Sequence, residues 1–244
     1  MRIDELLKNN PEDPWALARH GEILLRDGRV GEALAALERA ASLNPDDDAT
    51  GTLFVKTLLE AMRQDFAEHR ARAEQLAGRI RQPEQRAEFH RLMAQGLQQA
   101  GELEAAFAAY LALIDGLPTE IESDGAMEQV ERHYTIRRRR WVQAQLATLW
   151  NDASATHREA FSQALADRLA AAESISKLKV FVESFGSHPL ASEARLGLAQ
   201  RQAAAHPLEA ELLLQELRLS NSESRAGRAT ARLAALLLEL ARVR

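Results

Sequence analysis

Residues 14–47, PWALARHGEILLRDGRVGEALAALERAASLNPDD, decide how the chain folds. Two stretches with apolar residues at helical spacing, Trp15–Arg26 and Val30–Leu43, flank the turn Asp27-Gly28-Arg29. Small residues stand where two helices have to touch closely: Gly21 in the first, Ala33 and Ala40 in the second. Leu17, Leu24 and Leu37 take the larger contact positions. Pro45 closes the unit, because proline lacks an N–H and restricts the residue before it.

The same unit recurs outward from this stretch. Pro11, Pro45, Pro83 and Pro118 are separated by 34, 38 and 35 residues, a period that marks a helical-repeat array. A second good copy spans Ala87–Glu120, with Ala94, Leu97, Gly101, Ala106, Tyr110 and Pro118 at the same offsets. Here Leu113 replaces the small residue near the end of the second helix, which predicts a looser contact. Thr50–Pro83 is a degenerate copy with helices over Thr52–Arg63 and Asp65–Arg79, its extra residues extending the second helix into Arg79–Gln82. Pro11 lies one repeat before Pro45 and puts Leu6 at the Ala40 position. Residues 1–11 then form a partial repeat, as expected of a segment excised from a longer array.

The pattern Leu17, Gly21, Leu24, Gly28, Ala33, Leu37, Ala40 and Pro45 resembles the tetratricopeptide repeat. That resemblance implies an all-α, right-handed solenoid of antiparallel helix pairs. Repeats would cover 14–47, 50–83 and 87–120 within a first region, 1–118.

Composition agrees. Of 244 residues, 45 are Ala and 37 Leu, whereas Val, Ile and Thr together number 22. Ala and Leu lose little on entering a helix, while β-branched residues favour strands. A net charge of −5 disfavours wholesale nucleic-acid binding. There is no Cys, hence no disulfide, thiolate metal site or Cys nucleophile. Residues 1–30 lack a signal-peptide pattern, so the cytoplasm is expected if the chain is complete. No apolar run approaches the roughly 20 residues of a membrane span.

Residues 119–136 break the period. The first part is acidic (Glu120, Glu122, Asp124, Glu128, Glu131), contains Gly125, and reads as an exposed charged connector. Arg132–Arg140 is basic and runs into a helix with Val142, Leu146, Leu149 and Trp150 on one face. Further helices are expected over Thr156–Glu173, Ile175–Phe185, Pro189–Ala204, Pro207–Leu219 and Ser222–Val243. Residues 137–244 then continue the same solenoid without clear repeat signatures. The segments Arg139-Arg140-Trp141 to Trp150, His188-Pro189 through Leu196, and Glu209–Leu214 are similar to the helical region of large bacterial proteins that also carry quinoprotein-like β-propellers. That likeness implies one module of a larger polypeptide.

No catalytic, cofactor or metal site is expected. The seven His lack the spacing of a zinc pair, and no phosphate-cradling or nucleophile-elbow motif is present. Two interaction surfaces remain. The first helices of stacked repeats line a concave face, which puts Trp15, Ala18, Glu22 and Leu25 of one repeat and Glu88, Arg91, Gln95 and Gln98 of another in a groove. Some tetratricopeptide members grip a peptide C-terminus with Lys and Asn at such places. Arg91 and Gln95 partly fit that clamp, whereas Ala18 and Glu22 do not.

The other surface is Arg137, Arg138, Arg139 and Arg140 with His133, Tyr134 and Trp141, a candidate anion site. Four consecutive helical residues span nearly a full turn and do not face one ligand together. The expected role is a non-enzymatic scaffold that binds protein or peptide, or holds neighbouring domains. An accessory domain of a larger enzyme or propeller protein, or an anionic-ligand module, are the alternatives. Leu233, Leu236, Leu237, Leu238, Leu240 and Val243 make the last helix apolar on more than one side, which points to cover by a neighbouring copy of the chain or, in a longer protein, by a following domain.

Overall fold

The computed structural model describes residues 3–117, 127–131, 133–186, 188–219 and six positions between 229 and 236. It is all-α apart from one short hairpin. The chain divides into two compact units, Met1–Gly116 and Leu117–Arg244.

The first unit holds α1 (Ile3–Asn9), α2 (Pro14–Arg26), α3 (Val30–Leu43), α4 (Asp48–Gln64), α5 (Phe66–Leu76), α6 (Pro83–Gln99) and α7 (Leu103–Asp115). Aspartates set the starts of α2, α4 and α5. Asp13 accepts from the Ala16 N–H at 3.0 Å and Asp65 from the Glu68 N–H at 2.9 Å. Asp47 accepts from the Ala49 N–H at 3.1 Å and from the Thr50 hydroxyl at 2.6 Å. Each bond satisfies a donor that the first helical turn leaves over.

The α2–α3 and α6–α7 turns are the same device. Gly28 and Gly101 have φ of 78° and 79°, the left-handed region that glycine enters without strain. The Gly28 N–H donates to Leu25 O and the Arg29 N–H to Leu24 O, at 3.1 and 2.9 Å. At the second turn the Gly101 N–H donates to Gln98 O and the Glu102 N–H to Leu97 O, at 3.0 and 2.9 Å. This double closure is the Schellman motif. It turns each second helix back along the first.

Packing follows the small residues. Gly21, Ala33, Leu37 and Ala40 are buried between α2 and α3. A Cβ at Gly21 would lie 2.6 Å from Leu37 Cγ, and one at Gly96 would lie 2.3 Å from the Phe66 ring. Leu113, expected to loosen its contact, is fully buried. The second helix of the middle pair also departs from expectation. It ends at Leu76, and the extra residues form a 3₁₀ turn, Ala77–Arg79, followed by extended backbone at Ile80. Ile80 drops into the core, and the Arg86 guanidinium donates to its carbonyl at 2.8 Å.

The second unit contains β1 (Met127–Glu131), β2 (Tyr134–Arg137), α8 (Arg138–Asp152), α9 (Ala155–Ala170), α10 (Ile175–Ser184), α11 (Leu190–Gln202) and α12 (Pro207–Leu219). The two strands pair antiparallel, with Glu128 opposite Ile136 and Met127 opposite Arg137. The later part of the expected connector is therefore a hairpin, and Tyr134, Thr135 and Ile136 are residues that strands favour. Residues 119–126 lie outside the described part. Ala199, Ala210, Leu214 and Leu217 cluster with Ala229, Leu233 and Leu236. Leu237, Leu238, Leu240 and Val243, whose spacing suggests cover by another copy or a following domain, lie outside the described residues.

Two substitutions test the close contacts. Gly21→Ala and Ala33→Leu each force a side chain into occupied space and are expected to cost about 1–3 kcal/mol. Urea titration of each variant measures this. A cost near zero in both would contradict the packing of α2 on α3.

Candidate functional site

In the first unit α4 adjoins both α2 and α6. The outer side of α2 shows Trp15, Arg19, Glu22 and Arg26, opposite the buried Gly21 and Leu24. Trp15 is 58% exposed, and the Arg19 guanidinium carbon sits 6.0 Å from its ring centroid, within cation–π range. Glu22 pairs with Arg19 at 2.6 Å and lies 3.7 Å from Arg26. Ala18 and Leu25, placed in the groove by spacing, are half-buried at the edge of this side. Arg19 and Arg26 occupy the exposed positions instead.

On α4 and α6 the ion pairs cross between helices. Arg63 binds Glu60 at 2.5 Å and Glu88 at 2.9 Å, and Arg91 binds Glu88 at 2.5 Å. Glu88 is thus held by two guanidiniums. Burial opposes its charge, but the hydrogen bonds from Arg91 and Arg63 prevail and keep its carboxyl below the usual range. Arg91 reaches toward Gln95 Oε1 at 3.5 Å, a long contact. Gln98 is committed inward, accepting from the buried Tyr110 hydroxyl at 2.8 Å. Lys56 is exposed on α4, and helical spacing does not single it out because the middle repeat lacks a clear signature. The structure joins Glu88, Arg91 and Gln95 into one network with α4. Trp15 and Glu22 form a separate cluster with Arg19 and Arg26.

The Arg run is split. Arg137 ends β2 and is exposed, as is Arg140. Arg138 turns back to Glu128 of β1 at 2.5 Å, with both side chains nearly buried. Arg139 is buried and lies 3.6 Å from Glu183 at the end of α10. Trp141 is buried, whereas Tyr134 is exposed. The four guanidiniums do not share a surface. Two act within the fold, and the Glu128–Arg138 pair pins the hairpin to the start of α8.

A third polar locus joins α8 to the α10–α11 turn. The His188 Nδ1 accepts from the Leu190 N–H at 3.2 Å at the start of α11, and its ring meets Trp150 edge to face at 4.7 Å. Burial holds the His188 pKa below its ordinary value. Ser154 and His157 resemble a nucleophile and its base, with Oγ 3.1 Å from Nδ1. The Ser154 Oγ, however, accepts from the His157 backbone N–H at 3.2 Å, so the pair caps α9. Among the described residues, no group of three or more His, Asp or Glu could hold a metal. No described helix is long and apolar enough to cross a membrane.

No family model matches the chain. No curated protein matches it. Among solved structures it is similar to the flexible tandem repeat domain of a bacterial cellulose synthase subunit. The two are 23% identical over 98% of this chain and 89% of that one, with a TM-score of 0.25. So low a score carries no argument about a site.

The divided roles of the arginines can be measured. Glu128→Ala removes the carboxylate facing the nearly buried Arg138 guanidinium and is expected to cost about 1–3 kcal/mol. Arg137→Gln and Arg140→Gln should each stay within about 0.5 kcal/mol of the parent in the same urea titration. Equal costs for all three would refute the division.

Protonation of His188 should also show. Its folded pKa is depressed, so the unfolded chain binds the proton more tightly. The stabilisation it contributes is complete above the unfolded value of about 6.5 and declines as pH falls below it. In His188→Asn, which keeps an acceptor for the Leu190 N–H, thermal melts between pH 8 and pH 5 should show a shallower loss. An unchanged pH slope would rule His188 out as a contributor.

Proposed function

We propose that the chain is a non-enzymatic scaffold that binds a protein or peptide segment, or a neighbouring domain, along the outer side of α2, α4 and α6. The observation that carries this is Trp15. A tryptophan left more than half exposed on a helix forfeits a large burial, and exposed aromatics of this kind commonly anchor partners. The outer positions of α2, α4 and α6 also carry Arg19, Glu22, Lys56, Glu88 and Arg91; Arg19 and Lys56 are exposed, and Arg19, Glu22, Glu88 and Arg91 are ion-paired within the chain.

The repeated Gly28 and Gly101 turns support assigning tetratricopeptide-like repeats to 14–47, 50–83 and 87–120, preceded by the partial copy at 1–11. Residues 137–244 are assigned to further helix pairs of the same kind. Gln95 belongs to this side, while Gln98 supports it from below through Tyr110.

Panning a displayed random-peptide library against the 244-residue chain tests the proposal. Selected peptides should lose at least tenfold in affinity on Trp15→Ala and on Lys56→Glu, with melting temperatures unchanged. Peptides that bind both variants as tightly as the parent would place the interaction elsewhere.

A further inference from the structure

Helix α12 is apolar on two opposite sides. One side, Ala210, Leu214 and Leu217, is buried in the second unit. The other carries Leu208, Leu212 and Leu219, which are 72%, 66% and 78% exposed. At 100° per residue these three and Gln215 fall within about 60° of one another. They form a straight ridge facing away from the core. Scattered single leucines at a surface mean little, but an aligned ridge of three on one helix marks a contact.

The charges beside the ridge indicate what covers it. One edge carries Glu209 and Glu216, already engaged within the chain: Glu209 with Lys179 at 3.3 Å and Glu216 with Arg195 at 3.9 Å. The Lys179 contact holds the Glu209 carboxyl below its usual range. The other edge carries Glu211 and Arg218. Glu211 accepts a neutral bond from Gln215 at 2.9 Å, and neither it nor the exposed Arg218 has an ion-pair partner among the described residues.

Two copies of α12 can satisfy this edge with each other. Antiparallel pairing about a two-fold axis between Leu213 and Leu214 sets Leu208 against Leu219 of the second copy, and Leu212 against Gln215. In an antiparallel helix pair like edges meet. Glu211 of each copy then lies beside Arg218 of the other, twice over by symmetry. The Glu209 and Glu216 edges also meet in this arrangement, where Lys179 and Arg195 offset their charge. A parallel pair would join unlike edges and set Glu211 beside Glu209 of the other copy, acid against acid, with Arg218 beside Glu216.

We infer that the exposed ridge of α12 is a homodimer interface, formed by antiparallel, isologous pairing of Leu208, Leu212 and Leu219 and locked in register by reciprocal Glu211–Arg218 pairs. The ridge belongs to the second unit and the α2–α4–α6 side to the first. It buries a modest area, so the dimer is in concentration-dependent exchange with monomer.

Sedimentation of the full 244-residue chain over a concentration series reads the equilibrium. The parent should dimerise. Leu212→Glu, at a position already two-thirds exposed, should raise the dissociation constant at least tenfold while leaving the circular-dichroism melt unchanged. Glu211→Arg and Arg218→Glu should each weaken the dimer, and the double variant should restore it.

The chain has no Cys, so disulfide trapping gives the register directly. Mixing Leu208→Cys with Leu219→Cys chains should yield the mixed dimer in preference to either self-linked one. A parent monomeric at every concentration, or a dimer unaffected by Leu212→Glu, overturns the inference. Failure of the charge swap to restore binding, or preferential self-linking of Leu208→Cys, overturns the antiparallel pairing.

Discussion

The close approach of α2 to α3 at Gly21 is the contact on which the first unit depends. Leu37 occupies the space where a side chain at Gly21 would begin, so the two helix axes come nearer than ordinary side chains allow. Ala33, whose carbonyl also faces Gly21, is completely buried although it has only a methyl group to contribute. Dispersion contacts are individually tiny and need atoms at optimal separation. In an alanine-rich chain, a half-ångström gap along this seam would forfeit much of the packing. The Gly28 closure makes the seam possible by reversing the chain without a long loop. Gly96 against Phe66 shows the same logic between α5 and α6, with an aromatic ring as the filler.

The second unit is specified differently. Its small residues are as numerous, but polar groups set the positions of its helices. Glu128 with Arg138 ties β1 to α8, Arg139 with Glu183 ties α8 to the end of α10, and Arg195 reaches the Gly186 carbonyl at 3.4 Å. The Arg201 guanidinium donates to the Ala172 and Glu173 carbonyls just past the end of α9, at 3.0 and 2.6 Å. Charge at such a helix end is favourable because the last carbonyls lack partners. Apolar contacts tolerate sliding by a turn, whereas a buried guanidinium does not. Such pairs add little net stability but penalise misregistered packing heavily.

This contrast explains what is legible in the sequence. In residues 14–43 the apolar spacing, the small residues and the glycine turn are all local and point to one answer. The end of α5 escapes such reading because periodicity does not register that Ile80 gains more from the core than from another helical turn. The hairpin escapes it because charged residues crowd a very short alternation, and its inward Glu128 is recognisable only once Arg138 is beside it. Arg139 looks like one of four solvated arginines because its partner, Glu183, lies far along the chain. On α2, helical spacing puts Trp15, Ala18, Glu22 and Leu25 on one side, whereas the exposed positions are Trp15, Arg19, Ile23 and Arg26. An error of one residue rotates a helix face by 100°, enough to exchange a contact for its neighbour.

The exposed and buried aromatics differ in the same physical terms. Trp141 is buried, and the half-buried Trp150 is placed by Phe161 and His188 on other parts of its unit. Trp15 carries the Arg19 guanidinium of its own helix over its ring, and that guanidinium is already shared with Glu22. A ring in that setting keeps most of its apolar area in water, and its neighbouring charges are satisfied without it. Covering it therefore costs no broken ion pair, while the gain scales with the area removed from water at roughly 25 cal/mol per Å². The ridge on α12 presents the complementary case. There the apolar residues are exposed, and Glu211 and Arg218 have no ion-pair partner among the described residues, so contact gains from both terms. A surface that supplies only the first term accepts many partners. One that supplies both accepts a partner whose charges run in the opposite order, which a second copy turned end for end provides.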